Sequence, residues 1–423
     1  DNCVVVNSQD KALLSSPIRP ILLAPKKRNA PIAENVAPML SDLGVMLPCS
    51  GLHLMLMKQF NRPMIATSGN EYGEPMVTST SSAQQQLSML ADFFVHHNRD
   101  ICHKLDDSVL RTVMSGAIPF RLGRGLSPLE LTLPYDVEEP LLAVGANQKN
   151  TVSFAWKNRL VVTPHIGDLD SPIMQAHFEK CISDFQDLYH VSPQRILCDR
   201  HPGYISSRWA KDSPLPSSEI LHHRAHASAW ALSAEVSSPS LVFVWDGAGI
   251  GSNGDLWGGE VFWGSPGNWK RIASLAPMKL QGGNKVPYQP WRSAAALAWE
   301  TSFTEVDLTH FDPEHLSFKA WKNELNCYFS SSMGRLFDAA AFACCEQSEV
   351  SYEGQAPMIL ESVASTPSKI VPLSLIQKSD DFILMDWRTM VPDLFDKTVP
   401  AQIRAANFHA SLIETAWELT QRC

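Results

Sequence analysis

The 423-residue chain has no run of eighteen apolar residues, so no membrane-spanning helix is expected. It has no C-x-x-C pair, which removes the usual spacing of a zinc ribbon or a thiol–disulfide motif. Its nine cysteines are odd in number, and the only close pair, Cys344 and Cys345, is adjacent in sequence. That usage points to free thiols in a reducing compartment. A basic excess is also missing. With a net charge of −9 and a pI near 5.9, a general nucleic-acid-binding surface is not expected. No leader-like start is visible, because Asp, Asn, Gln and Lys interrupt the apolar positions of residues 1–20. The expectation is a cytoplasmic protein that meets neither membrane nor nucleic acid. An initiating Met is absent too. At the other end Ala405, Phe408, Leu412, Ile413, Ala416 and Trp417 recur at helical spacing with no stop residue. Both ends therefore read as cut, and Phe408, Leu412, Ile413 and Trp417 are expected as an uncovered apolar face.

What is present is globular composition, 44% hydrophobic with a mean hydropathy of −0.11, in a length that suits two or three domains. Residues 127–140 (SPLELTLPYDVEEP) carry three prolines and four acids and read as a linker between domains 1–135 and 140–423. Before it, Cys3–Val6, Ile21–Leu23, Met64–Ala66, Arg111–Met114 and Ile118–Arg121 read as strands and Ser81–Asp92 as a helix. After it, Leu141–Gly145 is a buried strand, and Val152–Lys157 with Arg159–Thr163 reads as a hairpin turning at Asn158. A helix from Ser171 to about Tyr189 follows, with Pro172 in its first turn. A strand at Arg195–Asp199, a helix at Tyr204–Ala210, a strand at Glu219–His222 and a helix at Ala225–Glu235 complete the first half. Strands at Leu241–Trp245, Gly259–Trp263 and Lys270–Leu275 open a second half on the same plan. The fold class is α/β, and this element order predicts a duplicated, actin-like architecture.

Three stretches could carry chemistry in that second domain. In His222-His223-Arg224-Ala225-His226 a helical backbone puts His222 and His226 on one face, where two imidazoles can share a metal ion. Taken alone, the spacing more often marks a satisfied surface or core pair. Asp246-Gly247-Ala248-Gly249-Ile250-Gly251 follows an apolar strand, where open sheets bind ligands and glycines let backbone N–H groups approach phosphate. Two imidazoles and a carboxylate, His222, His226 and Asp246, suit zinc or iron better than magnesium. Ser332–Asp338 and Ser351–Gln355 are charged loops that could grip ribose and adenine. In the first domain Thr67-Ser68-Gly69-Asn70 and Arg121-Leu122-Gly123-Arg124-Gly125 suit an anionic ligand such as a triphosphate.

Taken together, these stretches resemble the carbamoyltransferases of the HypF type. GVMLPCSGLHLML, ATSGNEYGEP, KLDDSVLR and RLGRG are similar to the later part of a YrdC-like domain. QKNT, HIGDL, HHRAH, WDGAGIGSNGDLWGGE, SSMGRLFDAAA and SYEGQA are similar to the domain related to threonylcarbamoyl transferases. The resemblance implies formation of carbamoyl adenylate from carbamoyl phosphate and ATP (with its Mg) in the first domain. Transfer to the C-terminal cysteine of HypE would follow, serving the cyanide ligands of [NiFe]-hydrogenase. It also implies roles for single residues. Thr67, Ser68, Asn70 and Arg121 would hold the adenylate, and His222, His226 and Asp246 a divalent metal. Gly247, Gly249, Asp338, Glu353 and Gly354 would surround nucleotide. The acylphosphatase-like domain and paired zinc fingers of the family are not in this sequence, and neither is its further C-terminal acidic ligand. Arg224 stands where the family commonly has histidine. The alternatives are an antibiotic-pathway O-carbamoyltransferase, a non-catalytic nucleotide-binding scaffold, and a tRNA-modifying enzyme, which the acidic balance disfavours.

Overall fold

Leu22 and Ala24 are buried while their neighbours are not, the alternation of a half-covered strand. They lie on β1 (Ile21–Pro25), which follows a first helix, α1 (Ser8–Ser15), closed by a capping box between Asn7 and Asp10. The computed structural model describes residues 2–71, 73–114, 116–236, 238–303 and 315–423. It divides into two compact units, one from the N-terminus to Ala37 with Asp42–Ile220, the other Pro38–Ser41 with Leu221–Cys423.

In the first unit β2 (Asp42–Val45), β1, β3 (Val109–Val113) and β4 (Gly116–Arg121) form one sheet in that order. Two helices, α2 (Gly51–Phe60) and α3 (Thr80–Leu87), bury none of their residues. Met64–Ala66, expected as a strand, has no strand partner, and Cys3–Val6 contributes only a bridge from Val4 to Lys26. A second sheet has the order β6 (Ser153–Val162), β5 (Leu129–Ala143), β7 (Arg195–Asp199), β8 (Ser217–Ile220). The expected linker is thus largely strand. β5 pairs with β6 across two register shifts that flank Val137, and Pro134 and Pro140 fall within the shifted stretches, where a missing N–H is tolerated. The expected hairpin at Asn158 is likewise one strand, with Lys157 in the left-handed region opposite the irregularity. The helix α4 (Pro172–Tyr189), capped by Ser171, lays Met174, Phe178 and Ile182 on a core with Phe154, Leu142 and Ile196. Each such side chain contributes roughly 1.5–3 kcal/mol by leaving water. The short α5 (Ile205–Asp212) connects β7 to β8.

The second unit opens with α6 (His222–Ser233), three residues earlier than expected. A meander of β9 (Ser240–Ile250), β10 (Leu256–Ser265) and β11 (Asn268–Leu275) follows, at the three apolar runs expected as strands. β12 (Met278–Gln281), β13 (Cys327–Ser330), β14 (Ser374–Ser379) and β15 (Phe382–Asp386) extend that sheet, with β9 attached to β10. Beside it pack α7 (Pro290–Thr301), α8 (Leu316–Lys322), α9 (Met333–Cys345), α10 (Gln355–Val363), α11 (Val391–Phe395) and α12 (Ala401–Arg422). Ala294, Ala295, Ala296 and Ala298 of α7 and Ala339, Ala340, Ala341 and Ala343 of α9 are buried, and small side chains let these helices approach closely. The apolar face expected to lie bare on α12 is half covered. Phe408 and Leu412 are buried in this core, Phe408 edge-on to Phe337 at 4.9 Å, and only Ile413 and Trp417 are exposed, at 69% and 60%.

Candidate metal and nucleotide site

Because α6 begins at His222, the i, i+4 spacing stacks His222 and His226 over one turn. β9 brings Asp246 to the same point. The His222 Nε2 lies 3.0 Å from Asp246 Oδ2, the His226 Nε2 3.8 Å from it, and the two Nε2 atoms are 3.1 Å apart. The three ligand atoms all fall within 4.8 Å of one another. Ligand atoms about 2.1 Å from a tetrahedral zinc are separated by about 3.4 Å, so these spacings fit a metal with three protein ligands and an open position. Two imidazole nitrogens converging on one carboxylate oxygen also place three lone-pair donors around a common point. Arg224 is exposed, so water screens its charge.

Burial alone would raise the Asp246 pKa. The hydrogen bond from His222, the charges of His222 and His226 and the Gly247 N–H outweigh it and hold the carboxyl well below the usual range. The ligand is therefore ionised at neutral pH. A Cβ on Gly249 would come within 2.8 Å of His222 Cβ and His223 Cε1, so glycine there lets the histidine helix approach β9. His223, not expected to take part, is fully buried with its Nε2 3.9 Å from Asp246 Oδ2.

Gly247 leads to the other residues. Ser332 caps α9, accepting from Arg335 N at 3.0 Å while its hydroxyl donates to the Gly247 carbonyl. Glu353 Oε1 would lie 2.9 Å from a Cβ on Gly247, and Gly354 starts α10 at φ +87, which favours glycine. Asp338 sits one turn into α9, and burial pushes its carboxyl up to about 7. Glu260, fully buried on β10, accepts from Ser331, Ser274 and the Gly258 N–H and pairs with Arg271, which ties β10 to the residue before the α9 cap. The sequence placed Ser332 and Arg335 in the stretch assigned to ribose and adenine without giving either a role of its own, and Glu260 was not singled out. All three lie inside recognised motifs, but only the fold shows what they touch.

The first-unit residues are less convergent. Thr67 and Ser68 are exposed, and the Asn70 amide donates to the Glu71 and Glu74 carbonyls at 2.9 Å. Among the described residues no hydrogen bond or ion pair joins them to Arg121. Arg121 instead lies in the field of Asp106, which bonds His165 Nδ1 at 2.7 Å. The His165 hydrogen bond, with the charges of His165, Arg121 and His177, lowers the Asp106 pKa against its burial.

Three family models match the chain. Residues 3–123 match the Sua5/YciO/YrdC model, described as "Telomere recombination". Residues 136–233 match the "HypF Kae1-like domain", and residues 242–423 "Carbamoyltransferase, Kae1-like Domain, second subdomain". The chain is 34% identical to the carbamoyltransferase HypF of Synechocystis sp., across 98% of this chain and 57% of that protein. A carbamoyltransferase HypF homolog of Cupriavidus necator is 30% identical, across 67% of this chain and 77% of its own length. The crystal structure of full-length HypF in the phosphate- and nucleotide-bound form superimposes with a TM-score of 0.93 at 30% identity. That match covers 99% of this chain and 67% of that one. The chain belongs to the HypF carbamoyltransferase family. The HypF of T. kodakarensis has the same fold, at a TM-score of 0.88 and 26% identity. The chain spans about half the length of the first curated HypF relatives it matches, 57% and 54%.

Proposed function

We propose that this chain carries the ATP-dependent carbamoyl-transfer chemistry of a HypF enzyme, divided between domains 1–135 and 140–423. In the first, Thr67, Ser68, Asn70 and Arg121 hold carbamoyl adenylate, formed when carbamate, released from carbamoyl phosphate by water with loss of inorganic phosphate, attacks the α-phosphorus of Mg-ATP and displaces pyrophosphate. In the second, the C-terminal cysteine of HypE attacks the carbamoyl carbon. The new C–S bond forms as the C–O bond to AMP breaks, and AMP leaves with the electron pair. The convergence of His222, His226 and Asp246 at the glycine-bearing end of β9 carries this reading.

His222, His226 and Asp246 would hold a divalent zinc or iron, and Gly247, Gly249, Asp338, Glu353 and Gly354 would surround nucleotide. When bound, the metal supplies a Lewis acid that polarises a carbonyl. Asp246 stays ionised to balance its charge, and Gly249 sets how near the imidazoles come. The chain's own thiols suit no nucleophilic role in the second domain. Burial pushes Cys344 up to about 12, and Cys345 is raised as well.

Two measurements test the proposal. Wild-type protein dialysed against zinc or iron should retain about one equivalent by elemental analysis, and Asp246→Ala should lose it. In a full-length protein, Asp246→Ala should abolish transfer to HypE while carbamoyl-adenylate formation, read as ATP–pyrophosphate exchange, persists. Loss of both activities in a folded variant would refute the division of labour.

A further inference from the structure

The two arginines of Arg121-Leu122-Gly123-Arg124-Gly125 are used differently. Arg124 is spent within the fold, donating to Asp107 Oδ1 at 2.9 Å and to the carbonyls of Ile18 and Arg19 at 2.9 and 2.8 Å. Arg121 is half-buried at the end of β4, and among the described residues its guanidinium makes no hydrogen bond or ion pair. A carboxylate that could neutralise it is nearby. Asp106 feels the charge of Arg121, yet its Oδ2 is taken by His165 Nδ1 at 2.7 Å. His177 faces that carboxylate too, but burial, helped by the charge of Lys104, lowers the pKa of this imidazole, so it competes weakly.

His165 and Asp106 are both fixed from behind. The His165 side chain is 16% exposed, and its backbone N–H donates to the Leu122 carbonyl at 2.8 Å, beside Arg121 in sequence. The Asp106 carbonyl accepts from Arg124 N at 2.8 Å and would lie 2.2 Å from a Cβ on Gly123. A carboxylate this close to a guanidinium closes on it as an ion pair unless another donor holds it. The donor comes from the next segment of the chain. Asp106 and Arg121 lie in the residues that match the Sua5/YciO/YrdC model, His165 in those that match the HypF Kae1-like domain, and all three belong to the first compact unit.

We infer that His165 is a positioning residue for the adenylate site: by holding the Asp106 carboxylate it keeps the Arg121 guanidinium open to the phosphate of the nucleotide. The inference rests on the reading of Arg121 as an adenylate-holding residue and adds what keeps that residue available.

The test is ATP–pyrophosphate exchange by the full-length protein at saturating carbamoyl phosphate and varied ATP. His165→Ala releases Asp106 onto Arg121 and should raise KM for ATP about tenfold, the value of one hydrogen bond to a charged group. The change in kcat should be about twofold or less. The deciding variant is His165→Ala with Asp106→Asn. No carboxylate is then left to capture Arg121, and KM should return to within about threefold of wild type. A purely structural histidine gives the opposite result, because a second substitution in the same contact leaves KM as high or higher. If His165→Ala does not fold, His165→Phe fills the volume of the ring without offering a donor and takes its place in both comparisons. An unchanged KM in the folded single variant, or no recovery in the double one, overturns the role of His165 and spares the reading of the first domain. A wild-type KM in Arg121→Ala overturns the reading of Arg121 itself, and the inference with it.

Discussion

Asp338 makes the interior of α9 sensitive to pH. The groups facing it are Arg335, Glu353 and Tyr328, whose hydroxyl is itself pushed up to about 12 and stays neutral. Below about pH 4 the Asp338 carboxyl is protonated in folded and unfolded chains alike and costs nothing. Between about 4 and 7 the unfolded chain releases this proton first, so stability falls as pH rises and levels off above 7. The loss is on the order of a few kcal/mol, and Asp338→Asn should abolish it. Asp246, with its lowered pKa, contributes the opposite slope at lower pH, so the readout is the difference between wild type and Asp338→Asn in urea melts at pH 5 and 7.5. At this scale the convergence of His222, His226 and Asp246 was legible from the helical spacing, while the strand expected to end before Asp246 runs on to Ile250. Arg335 and Glu260 were not legible. A buried charge looks like a surface charge in sequence until the partners that neutralise it, here Arg271 for Glu260 and Asp338 and Glu353 for Arg335, are known.

The meander of β9, β10 and β11 was legible because its strands are apolar runs separated by Gly-containing turns. β5 and β6 were not, since prolines and acids that mark a linker also mark an irregular strand, and only pairing distinguishes them. The start of α6 was missed because Leu221 offers no side-chain cap to announce it. Strand β10 yields a prediction at this scale. A Cβ on Gly259 would meet the Ser331 carbonyl at 2.5 Å and Leu275 Cβ at 2.7 Å, so Gly259→Ala should destabilise the second unit by about 1–3 kcal/mol. Gly51→Ala, on α2 with open space around it, should cost nothing. Differential scanning calorimetry of the two variants makes the comparison.

For the molecule as a whole, exposed apolar residues should govern solution behaviour. Ile413 and Trp417 stand out on α12, and Leu52, Leu54, Met55, Leu56 and Phe60 on α2. Ile413→Lys with Trp417→Glu should reduce self-association in light scattering while shifting the melting temperature little, because neither side chain contributes to the core. The α/β class was legible from element order. The contact boundary at Ile220 was not, because it falls between a strand and a helix with no change of composition. One small contact reaches furthest. The Ser332 hydroxyl binds the carbonyl of Gly247, next to Asp246, while the same oxygen starts the helix that carries Arg335 and Asp338. If occupancy on one side of that hydroxyl shifts it, the other side responds by the same factor in both directions. On the reading proposed above, zinc should tighten ATP by the ratio in which ATP tightens zinc, and Ser332→Ala should bring both ratios towards one.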